Sequence, residues 1–177
     1  MKKQLLHSGW QLTTVGKNDT IPATVPGSVY NDLLNAGRME DPYWRDNEMK
    51  ALALMDEDYR YNTTFDVNAD VLNSERVLLR CEGLDTIADI VLNGEKIASV
   101  CNMHRTWEFD VKDSLKTTGN TLEIVFYSPT KYIKEQDKIC HAGGSGDAMV
   151  GFPNLRKAHC MFGWDWGPRL PDAGPAP

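Results

Sequence analysis

A period-two alternation of apolar and polar residues recurs between residues 59 and 126, and it constrains the fold more than any other feature of the sequence. Successive side chains of a β-strand point to opposite faces, so this alternation predicts half-buried strands. The segments that show it are 59–67, 76–81, 88–92, 106–111 and 121–126. Strands that follow one another with only turns between them favour an all-β, antiparallel fold, either a β-sandwich or a jelly roll.

Two turn signals separate these strands. Asn93-Gly94 lies between the apolar segments 88–92 and 96–100. Both central residues of a tight hairpin turn need a positive φ, which Asn and Gly adopt most easily, so the pair predicts a β-hairpin. Gly119-Asn120 predicts a second turn before the last of the alternating strands.

One short N-terminal helix is predicted before the strands begin. Apolar residues recur at helical spacing from Val29 to Ala36. Ser28 is a suitable N-cap, and Asp32 lies in the early part of the helix, where the helix dipole favours an acid. Gly37 is placed to end the helix with a positive φ.

After Pro129 the sequence is less informative. Residues 131–136 are polar and predict neither helix nor strand. The stretch from His141 to Asp147 is rich in glycine, but no Gly-Lys-Ser/Thr ends it, so it does not predict a phosphate-binding loop. We expect a long mobile loop from His141 to Asn154.

Composition excludes several functional classes. The net charge is −6 and the pI about 5.2, and no cluster of Lys and Arg is present, which argues against a nucleic-acid partner. No apolar run approaches the ~18 residues of a membrane span. The apolar stretch near the start, Leu5-Leu6, is far shorter than the ~7 residues that a signal peptide needs, so we expect a cytoplasmic protein. A length of 177 residues predicts one domain, residues 1–177.

Cysteine and histidine positions predict no metal site. The four cysteines form no Cys-x-x-Cys pair, and His159-Cys160 has no second pair at a zinc-ligand spacing. We therefore expect free thiols and no metal or organic cofactor.

The richest chemistry lies in the segment Phe162-Gly163-Trp164-Asp165-Trp166-Gly167-Pro168. Two glycines permit an unusual backbone path, and the proline stiffens its exit. A carboxylate can accept hydrogen bonds from adjacent sugar hydroxyls, while an indole can pack against the C–H face of a pyranose. The segment predicts a carbohydrate contact, but tryptophans that anchor a core, with Asp165 capping a turn, would give the same pattern.

Several segments resemble the N-terminal domain of glycoside hydrolase family 2, and most closely its β-mannosidases. They occur in the expected order along nearly the whole chain: 8–12, 26–33, 41–48 (similar to the family pattern dPyyrdNe), 82–94, and Arg156-Lys157 followed by 162–170. The resemblance implies a galactose-binding-domain-like sandwich. It also implies that Trp164, Asp165 and Trp166 bind the sugar, a terminal non-reducing β-D-mannose residue of an oligosaccharide, beside a (β/α)8 barrel.

The same resemblance implies that this chain is not a catalyst by itself. A retaining glycosidase needs two carboxylates ~5–5.5 Å apart, and the family supplies both from the barrel. Asn47-Glu48 has the dipeptide pattern of the family's acid/base catalyst, but it matches the N-terminal segment, so no catalytic role is assigned to it. Hydrolysis is expected to retain configuration through a covalent intermediate.

Three alternatives remain open at this point. The chain can be a free-standing carbohydrate-binding module, a domain of a β-galactosidase or β-glucuronidase, or an interaction domain with core tryptophans. Pro175-Ala176-Pro177 replaces the Ile-Trp-Arg and further strand that usually follow in the family, so we expect the natural protein to continue. A strand missing from the sandwich would leave an open edge, which suggests a possible homo-oligomer.

Overall fold

The computed structural model describes residues 2–165 and 167–176. Within these ranges the chain forms twelve short strands and four α-helices. The strands are β1 (Gln11–Thr14), β2 (Thr20–Pro22), β3 (Tyr59–Phe65), β4 (Leu78–Cys81), β5 (Leu84–Asp85), β6 (Ile87–Leu92), β7 (Glu95–Cys101), β8 (Trp107–Asp110), β9 (Asn120–Phe126), β10 (Phe162–Trp164), β11 (Gly167–Arg169) and β12 (Gly174–Pro175). The helices are α1 (Val29–Asn35), α2 (Asn47–Leu54), α3 (Ala69–Leu72) and α4 (Pro129–Ile139).

Six strands form the main sheet, in the order β2-β1-β3-β9-β6-β7, and every neighbouring pair in it is antiparallel. The alternating residues of its central strands point into one core, as the sequence pattern predicts. Tyr61 of β3, Ile90 of β6 and Ile124 of β9 are all buried there. The ring of Tyr61 meets that of Phe126 edge to face, with centroids 5.7 Å apart.

A second layer covers this core. Strands β4 and β8 pair antiparallel, with Leu79 opposite Phe109. Val77 and Val111, which flank this ribbon, belong to the buried core, while Leu79, Phe109 and Trp107 pack against it. The all-β, antiparallel fold is confirmed, whereas its jelly-roll connectivity stays a prediction.

The predicted turn and helix are also confirmed. Asn93 and Gly94 have φ values of 53° and 83° between β6 and β7. Ser28 Oγ caps α1 by accepting a hydrogen bond from the backbone N–H of Asn31 at 3.4 Å. Gly37, with φ of 65°, follows the end of the helix.

Three helices were not predicted, and α4 is the longest of them. The polar stretch of residues 131–136 is helical because Ser128 Oγ accepts the N–H of Lys131 at 3.1 Å and Pro129 occupies the first turn. Ile133 is the apolar anchor of this helix and is fully buried.

A second, smaller core lies under α4. It consists of four buried apolar residues: Ile133, Phe152, Leu155 and Phe162. Gly151 contributes by close approach, since a Cβ there would lie 2.5 Å from the carbonyl oxygen of Ile133. Phe162 of this cluster begins the segment with the two tryptophans.

No helix in the described ranges has the length and apolar character needed to cross a lipid bilayer.

Candidate functional site

The segment with the two tryptophans is a small β-hairpin. Strands β10 and β11 pair antiparallel, with Phe162 opposite Arg169 and Trp164 opposite Gly167. Asp165 is exposed at the tip, and Trp164 beside it is half-buried. Trp166, the third residue predicted to bind sugar, lies outside the described residues.

The base of this hairpin is fixed in the second core. Phe162 is completely buried and lies against Phe152, with ring centroids 6.2 Å apart. The backbone N–H of Met149 donates a hydrogen bond to the carbonyl oxygen of Phe162 at 2.9 Å. The base of the hairpin is therefore packed and hydrogen-bonded, while its tip carries the exposed carboxylate of Asp165.

Gly163 is required by the way the two strands meet. Its φ is 102°, a conformation that residues with a side chain rarely adopt. A Cβ at this position would lie 2.6 Å from Cγ of Arg169 and 3.0 Å from the carbonyl oxygen of Asp147. The glycine thus lets the Arg169 side chain and the glycine-rich loop close on the hairpin from both sides.

The glycine-rich loop contacts the hairpin near its tip. The hydroxyl of Ser145 donates a hydrogen bond to the carboxylate of Asp147. This bond lowers the pKa of Asp147, with smaller contributions from backbone N–H groups, including that of Asp165. Gly144 of this loop approaches the second core, since a Cβ there would lie 2.9 Å from the ring of Phe152.

Helix α2 holds the hairpin through the ion pair between Glu48 and Arg169. Glu48 Oε1 accepts two hydrogen bonds from Arg169, one from Nε at 2.7 Å and one from the backbone N–H at 3.0 Å. Burial acts to raise the pKa of Glu48, but the bonds from Arg169 outweigh it and the pKa lies below its ordinary value. Glu48, set aside as a catalyst in the sequence analysis, is an ionised hydrogen-bond acceptor here.

A buried ion pair lies just before the hairpin in the chain. Lys157 Nζ contacts Asp85 Oδ2, and the side chains are 0% and 5% exposed. The Thr86 hydroxyl donates a hydrogen bond to the other carboxylate oxygen of Asp85. Burial lowers the pKa of Lys157, although the nearby carboxylates act against it. Lys157 precedes β10, so this pair ties the hairpin region to β5.

Asp172, after β11, is the second buried acid of this region. Its Oδ1 accepts the backbone N–H groups of Tyr30 at 3.0 Å and Ala173 at 2.8 Å. Burial raises the pKa of Asp172 to about 6. This carboxyl group fastens the segment after β11 to the start of α1.

A shallow cleft of about 340 Å³ lies beside β11. Its walls are mostly apolar and aromatic, and they include Tyr30, Leu34, Tyr43 and Pro168. Trp164 and Asp165 do not line this cleft, nor a second one of about 230 Å³ between β1 and α2. Asp165 is exposed to solvent.

Among the described residues, no group of three or more His, Cys, Asp and Glu side chains is arranged to hold a metal ion.

Sequence reasoning singled out residues 162–168, but as a loop rather than a β-hairpin, and it did not identify the contacts that support them. Trp164 and Asp165 lie together at the tip because they are neighbours in the chain. No local pattern predicted the contacts of Glu48, Asp85 and Asp172 with Arg169, Lys157 and Tyr30, since these partners are distant in sequence. Glu48 and Arg169 are 121 residues apart, and Asp85 and Lys157 are 72 apart.

Comparison with known families gives one match over almost the whole chain. A family profile described as "Glycosyl hydrolase 2 galactose-binding domain-like" matches residues 10–176. Curated relatives include a β-mannosidase of Bos taurus, 32% identical over 96% of this chain, and β-mannosidase A of Emericella nidulans, 35% identical over 94% of it. The chain spans only 20% and 18% of these two relatives.

Solved structures agree with this match. The β-D-mannosidase of Dictyoglomus thermophilum superimposes with a TM-score of 0.90 and 37% identity, over 96% of this chain and 21% of that one. An exo-chitosanase of Amycolatopsis orientalis superimposes with a TM-score of 0.58 at 20% identity over 67% of this chain and 16% of that one, which shows likeness of fold alone.

Proposed function

This chain belongs to the glycosyl hydrolase 2 galactose-binding domain-like family, and we propose that it is the non-catalytic N-terminal domain of a longer β-mannosidase-like glycoside hydrolase. In this proposal the longer protein hydrolyses terminal, non-reducing β-D-mannose residues. The hairpin of this domain contributes Trp164, Asp165 and Trp166 to the sugar site, and the two catalytic carboxylates come from the rest of the protein.

The observation that carries the proposal is the exposed carboxylate of Asp165 at the tip of an anchored hairpin. The carboxylate can accept hydrogen bonds from two adjacent hydroxyls of a mannose ring, and the half-buried indole of Trp164 offers an apolar edge beside it. The base of the hairpin is fixed by Phe162, so the tip is held in place before a sugar arrives.

The exposure of Asp165 supports a shared site rather than a complete one. Small-molecule sites usually enclose most of their ligand, and this tip needs a second surface to do so. One side of a site rarely overcomes the entropy lost on association. We therefore expect the 177-residue chain alone to bind mannose too weakly to measure. The possible homo-oligomer and the cytoplasmic location stay predictions.

The test is Asp165→Ala in the longer protein, with an aryl β-mannoside as substrate. Losing charge-assisted hydrogen bonds to the sugar should lower kcat/KM roughly 10²-fold, given ~1.5–3 kcal/mol for each such bond. Glu75→Ala is the matched control, because it removes an exposed carboxylate just before β4. Unchanged kcat/KM in Asp165→Ala would contradict the proposal.

The same assay separates the alternatives. Preference for an aryl β-galactoside or β-glucuronide over the mannoside would assign the domain to another branch of the family. Measurable binding of mannose by the isolated 177-residue chain would instead favour a free-standing carbohydrate-binding module.

A further inference from the structure

We propose that Glu48 is a positioning residue, which holds the tip of the β10–β11 hairpin in its sugar-binding direction through Arg169. This inference rests on the proposed function, because it concerns the same site. It assigns a role to the ion pair between Glu48 of α2 and Arg169 of the hairpin.

The first step is that one carboxylate oxygen fixes both the backbone and the side chain of a residue in β11. Glu48 Oε1 accepts the Arg169 N–H at 3.0 Å and Nε at 2.7 Å. A contact to a side chain alone would leave the strand free to slide or tilt. Two bonds to one acceptor define where the strand lies relative to α2.

The second step carries this constraint across the hairpin. The aliphatic part of Arg169 covers Gly163, so closely that a Cβ there would lie 2.6 Å from Cγ of Arg169. Gly163 immediately precedes Trp164. The position of the Arg169 side chain therefore limits the backbone of β10 at the residue before the tip.

The third step is that α2 itself is a firm support. Ala51, in the middle of the helix, is buried, and its carbonyl oxygen accepts the hydroxyl of Tyr30 at 2.8 Å. The carbonyl oxygen of Leu54, at the end of the helix, accepts the hydroxyl of Tyr59 at 2.8 Å. Glu48 thus connects the hairpin to the main core rather than to another surface loop.

The ion pair is too exposed to act mainly through global stability. The side chains of Arg169 and Glu48 are 43% and 26% exposed, and exposed ion pairs contribute little to the free energy of unfolding. Its consequence is expected locally, in the order of the hairpin.

Hydrogen exchange on the 177-residue chain tests this directly. In Glu48→Ala, we expect the amides of residues 162–165 and of Gly167 to exchange roughly tenfold faster, while those of β3 and β9 are unchanged. Glu48→Gln keeps an acceptor oxygen and should restore part of the protection. Glu40→Ala is the matched control, since it removes an exposed ion pair with Lys50 on the same helix. The proposal would be overturned if the hairpin amides exchanged at the wild-type rate. It would also be overturned if the exchange rate rose uniformly over the whole chain.

Kinetic measurements on the longer protein provide the second test. With an aryl β-mannoside, Glu48→Ala should lower kcat/KM roughly tenfold, mainly through KM, and Glu40→Ala should leave it unchanged. If Asp165→Ala lowers kcat/KM and Glu48→Ala does not, the positioning role is overturned while the proposed function stands. If Asp165→Ala has no effect, the proposed function and the catalytic relevance of Glu48 both fail, and the exchange result alone decides whether Glu48 orders the hairpin.

Discussion

Replacing Lys157 by Met should destabilise this domain far more than any comparable change at its surface. The Lys157 side chain is fully buried and its ammonium group contacts Asp85, which is almost as deeply buried. Methionine preserves most of the aliphatic stem, so little cavity forms. The substitution therefore isolates one effect, which is the loss of the countercharge of a buried carboxylate.

The expected loss in the free energy of unfolding follows from the unpaired charge that remains. Removing one partner of a buried ion pair typically costs about 3–5 kcal/mol, because the remaining charge stays out of water without compensation. In Lys157→Met, Asp85 keeps the hydroxyl of Thr86 but loses its cation. The double variant Asp85→Asn, Lys157→Met removes both charges, so we expect it to recover about 2 kcal/mol or more of the loss.

Urea unfolding followed by tryptophan fluorescence measures these free energies. The control is Lys50→Met, which breaks an ion pair whose side chains are 68% and 64% exposed. It should change the free energy of unfolding far less than Lys157→Met does, because exposed ion pairs contribute little to stability. Equal losses for Lys157→Met and Lys50→Met would refute the reasoning. So would a double variant that is as unstable as the sum of its two single variants.

Three further predictions concern the same region. The raised pKa of Asp172, about 6, means that the folded state holds its proton more tightly than the unfolded state. The contribution of Asp172 to stability should therefore fall by roughly 2–3 kcal/mol as pH rises from about 4 to above 6, and the difference in urea midpoint between the wild type and Asp172→Asn should change over that range; a constant difference would contradict this. Phe162→Ala should cost about 3–5 kcal/mol, because it empties a fully buried site under the hairpin; a loss below 1 kcal/mol in urea unfolding would count against that packing. Gly151→Ala should lower the midpoint of thermal unfolding, because Gly151 has a φ of 84° and a Cβ there would lie 2.5 Å from the carbonyl oxygen of Ile133. An unchanged midpoint would contradict this.

The sheet could be predicted from the sequence because its signals are local. Tyr61, Ile90 and Ile124 are spaced at period two within their strands, and each is buried as that period requires. The Asn93-Gly94 turn needs positive φ at both residues, and few other pairs satisfy that.

Helix α4 was missed although its start carried a signal. Ser128-Pro129 is a good N-cap and first-turn pair, but the polar residues that follow show only Ile133 as a deeply buried anchor. Periodicity was too weak there to predict a helix.

The supports of the hairpin could not be predicted from sequence patterns. Glu48 meets Arg169, and Asp85 meets Lys157, only after the sheet and α2 have brought distant parts of the chain together. The sequence does not show whether a charged residue of this kind will be exposed to solvent or buried in a core. Their roles follow from burial and distance, which only the folded chain supplies.

Hydrolysis of an aryl β-mannoside, measured in parallel for the longer protein and for the 177-residue chain, tests the central claim most directly. Our account predicts that the longer protein cleaves the β-mannoside in preference to aryl β-galactoside and β-glucuronide, and that the 177-residue chain cleaves none of them. Turnover of any of these substrates by the chain alone would contradict the claim that its role is to bind the sugar rather than to catalyse.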